Sequence, residues 1–293
     1  MEAEYRPLPR FEYFVPSSLG EIVALLKEHH DGARLLAGGT DLLLNMKTRT
    51  VLPVVIIDLN RIAELSFMQV IGKNLHIGAM TRLNDVEGAS IVREKIPLLA
   101  EAIRSLASRS IRNRATIGGN LCNASPAADS APPLLALDAS VKLQGPDGER
   151  IVALSDFFIG PGQSVRQADE VLTEVIVPCK QGSSAFVKLG RRKGFTLSIV
   201  SAAAFGMIRD GKFEDVRVAL GAVAPTPMRS RKVEESLGGA QVKQEAIEKA
   251  AELVKEEVNP LTDVRASAAY RREMAAVVTK RVLERVAMGE EKC

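Results

Sequence analysis

The stretch from Arg114 to Leu137, RATIGGNLCNASPAADSAPPLLAL, constrains this chain more than any other. It joins a glycine pair, a dense run of small polar residues, one acid and two adjacent prolines before it turns apolar. Gly118 and Gly119 open backbone conformations closed to other residues and let a neighbour approach the main chain closely. Thr116, Asn120, Asn123, Ser125 and Ser130 offer hydrogen bonds, and Asp129 adds one negative charge. A second glycine pair, Gly38-Gly39 in LLAGGTDLLLNMK, lies eighty residues earlier. A segment that merely crossed the surface would not need this combination. The pattern predicts two loops facing one phosphorylated ligand.

Each pair follows an apolar segment. Ala33 to Ala37 reads as a short strand that runs into Gly38-Gly39-Thr40, with Thr40 placed to cap a helix over Asp41 to Lys47. Strand, glycine turn and helix start bring free backbone N–H groups together, which suits an anion. One such loop is equally a plain strand-to-helix turn. Two of them suit a pyrophosphate held from both sides by main-chain donors. The familiar alternatives are missing: no GxGxxG follows the first strand, and no GxxxxGK precedes Ser or Thr. His29, His30 and His76 lack metal-site spacing and form no triad with a nucleophile. With no general acid or nucleophile in view, the hard chemistry falls to a cofactor.

Around these loops the sequence predicts an α+β chain. Ser18 and Glu21 fit a capping box ahead of a helical stripe at Ile22, Leu25 and Leu26. Val54 to Asp58 is a buried strand, and Phe67 to Val70 pairs with Leu75 to Ile77. Thr81 is placed to cap a short helix, Glu94 to Leu106 carries a helical apolar face, and Ser108 to Arg114 is a basic link. Arg112 and Arg114 in that link could meet phosphate, but solvated or paired arginines are the plainer reading. Val141 to Leu143 and Glu149 to Val152 bracket a turn, and Val171 to Val177 is a strand. The polar segment Cys179 to Ser184 is the expected boundary between residues 1–178, with subdomains of about 1–58 and 59–178, and residues 184–290. In the second part, strands at Ala185 to Gly190, Ile199 to Arg209 and Val216 to Val223 surround an Asp210-Gly211 turn. Helices follow near Arg229 to Leu237, Lys243 to Val258 and Arg265 to Met288. Arg191-Arg192-Lys193-Gly194 is a basic loop that could face the shared cleft.

Composition narrows the function. At 293 residues two domains are expected, and 46% hydrophobic with 26% charged residues is ordinary globular content. A net charge of +3 without a basic block does not point to nucleic acid. No apolar run reaches the roughly 18 residues of a membrane span, and the N-terminus has no signal core. Cys122, Cys179 and Cys293 are scattered and odd in number, which fits a cytoplasmic chain and is too few for an iron–sulfur cluster of its own.

AGGTDLL at 37–43 and TIGGNLCNASPAADSAPPLLAL at 116–137 closely resemble the FAD-binding medium subunit of the molybdenum hydroxylases, the xanthine dehydrogenase and carbon monoxide dehydrogenase family. The resemblance runs from FEYFVPSSLGEIVALL to NPLTDVRASAAYRREM, where Asp263, Arg265, Ser267, Tyr270 and Arg271 match. It implies a two-subdomain FAD domain of the p-cresol methylhydroxylase type, then a small antiparallel sheet with helices. It implies pyrophosphate contacts from Ala37, Gly38, Gly39, Thr40 and Asp41 and from Thr116, Ile117, Gly118, Gly119 and Asn120. Leu35, Leu36 and Leu42 would border them, and Asp129 would hold ribityl or ribose hydroxyls. Leu106, Leu172 and Lys188 occupy positions of further flavin contacts, with Leu106 standing where better-known members place an aromatic. Residues 191–196 stand where the family has a mobile segment near the flavin ring, here without the acid that many members carry. The implied role is electron transfer. A large molybdopterin subunit oxidises substrate, a small subunit carries two [2Fe–2S] clusters, and FAD in this chain passes electrons to NAD, a quinone, ferredoxin or oxygen. A stand-alone FAD oxidoreductase of the same superfamily and a binding protein with a degenerate pocket are the alternatives. As plainer roles, the leucines are core residues, Cys122 is a small buried thiol, and Asp263 and Arg265 pair at the start of the last helix.

Overall fold

Leucine-rich and β-branched runs build three sheets of three or more strands, and a two-stranded ribbon, in a computed structural model that describes residues 7–192 and 194–289. Lys193 in the basic loop and Cys293 lie outside the described residues.

The first sheet is parallel, with β1 (Glu12–Phe14), β2 (Ala33–Leu36) and β3 (Val55–Asp58) in the order β1-β3-β2. Helix α1 (Leu19–His29) crosses between β1 and β2, and α2 (Leu42–Lys47) follows β2. The Ser18 hydroxyl accepts from the Glu21 N–H as expected, but the Glu21 carboxylate reaches back to the Ser17 N–H at 2.6 Å, one residue beyond the capping-box position. Ile22 and Leu26 bury against Val55 and Ile57.

The second sheet is antiparallel. It contains β4 (Met68–Ile71), β5 (Asn74–Gly78), β6 (Ser140–Gly145) and β7 (Gly148–Ala153). After a small hairpin of β8 (Phe158–Gly160) and β9 (Gln163–Ser164), β10 (Val171–Pro178) inserts between β5 and β6, giving the order β4-β5-β10-β6-β7. Between β5 and β6 the chain makes α3 (Leu83–Gly88), α4 (Ser90–Lys95), α5 (Pro97–Ser105), α6 (Arg109–Arg112), α7 (Ile117–Cys122) and α8 (Ala131–Ala136). A single turn, α9 (Leu154–Phe157), follows β7.

Several local expectations change here. The helix expected over Glu94 to Leu106 is broken at Ile96, because Pro97 has no N–H and begins a new helix at its first turn. Thr81 caps nothing; its hydroxyl donates to the Phe67 carbonyl at 3.1 Å and the cap position of α3 is Arg82. The basic link is itself a helical turn, α6, capped by Ser108. The central stretch is not one loop but two short helices, with Pro132 and Pro133 tolerated in the first turn of α8.

The third sheet has β11 (Ser183–Gly190), β12 (Ser198–Arg209), β13 (Lys212–Gly221) and β14 (Met228–Arg229) in sequential antiparallel order. Asp210 and Gly211 both have positive φ, 51° and 68°, as the turn type at this hairpin requires. Helices α10 (Arg231–Leu237), α11 (Gln244–Glu257) and α12 (Ala268–Met288) cover one face. Alternation along β12 explains the rest: Val200, Ala202 and Ala204 pack under these helices, whereas Ala203 and Phe205 join the core of the second sheet. A strand buried on both faces reads as a continuous apolar run, as SIVSAAAFGMIR does. The third sheet therefore stands directly behind α5, which precedes the central stretch, and α8, which ends it. Among the described residues no helix is long and apolar enough to cross a membrane.

Candidate functional site: a cleft between two glycine loops

The two glycine pairs meet. After β2 the chain turns over Ala37 to Asp41, with Gly39 at φ +73°. A Cβ on Gly38 would lie 2.1 Å from the Arg114 carbonyl oxygen and 2.9 Å from the Ala115 Cα, so the first loop rests on the main chain that enters the second. Asn60 Nδ2 donates to the Ala37 carbonyl at 3.0 Å and fixes the turn from the other side.

Their hydrogen bonding differs. Among the described residues, the backbone N–H groups of Gly38, Gly39, Thr40 and Asp41 find no acceptor. Thr40 does not cap α2; its hydroxyl points to the Asp41 carboxylate at 3.5 Å, and the cap position belongs to Asp41. In the second loop the amides from Ile117 to Asn120 are engaged, whereas that of Thr116 finds no acceptor among the described residues. Ile117 donates to the Thr81 carbonyl at 3.0 Å, Gly118 to that of Ala79 at 2.9 Å, and Asn120 to that of Thr116 at 3.0 Å. Gly119 donates to the Thr116 hydroxyl at 3.0 Å, which caps α7. The expectation of free N–H donors is thus met by four amides on one side and, on the other, by Thr116 but not by the glycine pair. Gly118 packs against Ala79, whose Cβ and carbonyl oxygen would lie 2.7 and 2.8 Å from an added Cβ.

Between the loops lies a cleft of about 540 Å³. Its first wall is Leu35, Ala37, Gly38, Gly39, Thr40, Asp41 and Leu42, and its second is Thr116, Gly118, Gly119 and Asn120. Leu172 on β10 also lines it. Leu36 does not line it; its Cδ1 instead sits 3.1 Å from where a Gly39 Cβ would be. Ile117 is fully buried core. Leu106, Asp129 and Lys188 also lie outside the lining and form a group of their own. Lys188 Nζ donates to Asp129 at 2.6 Å and to the Ser105 carbonyl at 3.0 Å, next to Leu106, while the Ser198 hydroxyl donates to the other Asp129 oxygen. Asp129 is therefore committed to a buried ion pair, and burial pushes its carboxyl up against the pull of Lys188. Asn120 links the two places, because its Oδ1 accepts from Ser130 beside Asp129.

Several lining residues lie outside the ligand set that the family resemblance implies. Cys122 and Asn123 lie one turn past Gly119, within the very stretch that marked the site. Burial pushes the Cys122 thiol up, with Arg166 opposing. Arg34 and Arg166 line the cleft, and both donate to backbone carbonyls; Arg166 reaches those of Gln167 and Glu170. No local pattern marks Arg166, which comes from a separate loop. Asp31 and Asp41 offset the two arginines, leaving the lining formally neutral. Burial raises the Asp41 carboxyl above its ordinary value, with Thr40 opposing.

The matched C-terminal motif is structural. Ser267 caps α12, and Asp263 pairs with Arg265 and Arg271 at 2.7 Å each. The buried Arg271 guanidinium also donates to the Ile199 and Ala222 carbonyls and fastens α12 to the third sheet. In the basic loop, Arg192 donates to the Phe195 carbonyl, and Phe195 is exposed at φ +48°.

The cleft fits a flavin nucleotide. Its volume suits a cofactor, four unpartnered amides stand on one wall for a diphosphate, and Gly119 presents no side chain opposite them. Residues 9–180 match the family described as the FAD binding domain in molybdopterin dehydrogenase, and residues 185–286 match the CO dehydrogenase flavoprotein C-terminal domain. The chain belongs to the FAD-binding subunits of the molybdopterin-dependent dehydrogenases. It is 39% identical over 278 residues to the carbon monoxide dehydrogenase medium chain of Hydrogenophaga pseudoflava, covering 94% of this chain and 96% of that one. It is 33% identical over 275 residues to the xanthine dehydrogenase FAD-binding subunit of Escherichia coli O157:H7, covering 92% and 94%. The solved carbon monoxide dehydrogenase from Hydrogenophaga pseudoflava that lacks the Mo-pyranopterin moiety superposes with a TM-score of 0.93 at 38% identity, covering 96% of this chain and 98% of that chain. The protein is thus a flavoprotein of the oxidoreductase class with an α+β fold.

Proposed function

We propose that this chain holds FAD in the cleft between the two glycine loops and relays electrons from the [2Fe–2S] clusters of a small subunit to an external acceptor. A large molybdopterin subunit would oxidise the substrate. The observation that carries the reading is the row of four unpartnered amides from Gly38 to Asp41, facing a neutral cleft. Bound flavin supplies the step between two-electron and one-electron transfer. The chain's own residues do the rest. Gly38 to Asp41 receive the diphosphate, with Thr116 and Asn120 opposite. Leu35, Leu42 and Leu172 exclude water from the apolar parts. The Leu106, Asp129 and Lys188 group stands outside the lining, joined to it through Ser130 and Asn120, and would act on the flavin from there. By the family resemblance, the loop around Arg191 and Arg192 would stand near the flavin and bear on acceptor access.

Relatives named for carbon monoxide and for xanthine match over nearly the same span, which supports placing substrate choice in the large subunit. The cytoplasm remains the compartment favoured by the cysteine usage. The decisive measurement is the visible spectrum of the purified chain after loading with FAD, where two flavin bands are expected. NADH-driven reduction of an artificial dye identifies NAD as an acceptor, whereas turnover of a small substrate by the isolated chain favours the stand-alone oxidoreductase. An apo-protein that takes up no FAD ends both readings.

A further inference from the structure

A second concavity lies away from the glycine cleft, where α3 to α6 approach β11 and α12. It encloses about 760 Å³. Five arginines line it: Arg93, Arg104, Arg109, Arg112 and Arg285. Against them stand Glu87 and Glu101. Five positive and two negative groups leave a formal +3, as much as the net charge of the whole chain. The excess is local.

Internal pairing does not use these guanidiniums up. Glu101 is fully engaged, one oxygen accepting from Arg285 at 2.7 Å and the other from the Phe186 N–H at 3.0 Å. Glu87 lies 3.4 Å from Arg112. Arg93 turns to the Gly88 carbonyl. Among the described residues, neither Arg104 nor Arg109 forms an ion pair or donates a side-chain hydrogen bond. Arg112 is 9% exposed and donates to the Leu106 carbonyl at 2.9 Å, yet its Nε is buried without a partner.

We propose that this cavity binds a small molecule carrying two linked phosphates, as inorganic pyrophosphate or a nucleoside diphosphate. Guanidinium forks match phosphate oxygens in pairs. A diphosphate near neutral pH carries about the charge that the lining lacks. Concavity favours a small ligand over a protein or nucleic-acid surface, since a flat partner would not reach Arg112.

The test is isothermal titration of the full chain, saturated with FAD so that the glycine cleft is filled and flavin absorbance monitors it. Inorganic pyrophosphate and ADP are compared at fixed ionic strength. One saturable site is expected, with flavin absorbance unchanged and affinity falling as salt rises. If ADP binds no tighter than pyrophosphate, the diphosphate alone is recognised. The double variant Arg104→Ala/Arg109→Ala removes two exposed side chains and should weaken binding roughly tenfold or more. Arg109→Ala alone should show a smaller loss in the same direction. No saturable binding of either ligand overturns the proposal, as does equal binding by the double variant or binding that expels FAD. Should the chain take no FAD, the same titration of wild type against double variant still reports this cavity, because the glycine cleft is unaltered between them.

Discussion

Gly38-Gly39 and Gly118-Gly119 look alike in the sequence, and in the folded chain they do different work. The first pair sits in a turn whose four amides, Gly38 to Asp41, have no acceptor among the described residues and line the cleft. The second pair is wound into a capped helix whose amides are already taken. Within each pair the labour divides again. Gly38 and Gly118 are bare because backbone or Ala79 lies against them, whereas Gly39 is bare for its positive φ and Gly119 faces the cleft. A glycine pair therefore signals close approach, but not what approaches. One wall of this site is a set of donors, and the other is a capped helical turn, bare at its glycines, whose entering main chain lies against Gly38.

The largest effect is expected where two main chains touch. In Gly38→Ala the new Cβ meets the Arg114 carbonyl at 2.1 Å, and backbone on both sides cannot yield as a side chain would. The cost should exceed the roughly 1–3 kcal/mol of ordinary overpacking, with a lowered unfolding midpoint and loss of flavin together. If the variant melts like wild type, the loops do not rest on each other and the comparison breaks. Asp129→Ala comes next. It strands Lys188, which is buried, and removing one partner of such a pair costs about 3–5 kcal/mol. Its signature should be a fall in stability without FAD present. A variant of normal apo stability that only releases FAD would return Asp129 to the role of a direct ligand.

Gly119→Val separates binding from folding. The nearest atoms to a Cβ there are the Thr116 hydroxyl at 2.9 Å and the Ala37 Cβ at 3.5 Å, and the hydroxyl can rotate away. The fold should survive with a loss of about 1 kcal/mol for the disturbed cap, while the branched side chain fills the cleft and FAD content falls to background. Normal flavin content in a folded variant would remove Gly119 from the binding wall.

Local chemistry made much of the architecture legible. The Ser18 cap, the Asp210-Gly211 hairpin and the doubly apolar β12 announce themselves within a few residues. So did the walls of the cleft, because both glycine pairs stand next to apolar runs that become strand or helix. What escaped depends on contacts across the chain. Thr81 and Thr40 have good helix-capping identities, but Thr81 bonds to Phe67 and Thr40 to Asp41. Asp129 offered a free acid in the sequence, and only the approach of β11, 59 residues on, supplies Lys188. The amides of Ile117 and Gly118 looked available until Thr81 and Ala79 arrived as acceptors.

The smallest effect sharpens the comparison most, because it sets two threonines against each other. Thr40 and Thr116 each flank a glycine pair and a short helix. Thr116 accepts from the Gly119 N–H at 3.0 Å and is 3% exposed, whereas Thr40 caps nothing. Thr116→Ala should therefore cost about 1 kcal/mol of stability, the ordinary worth of a cap, in the flavin-free chain. Thr40→Ala should leave the same midpoint within experimental scatter, and any change should show in FAD affinity alone. Urea unfolding of both variants, with and without FAD, separates the terms. Equal losses in the flavin-free chains would mean that the first turn is capped like the second, and that its amides are not waiting for a ligand.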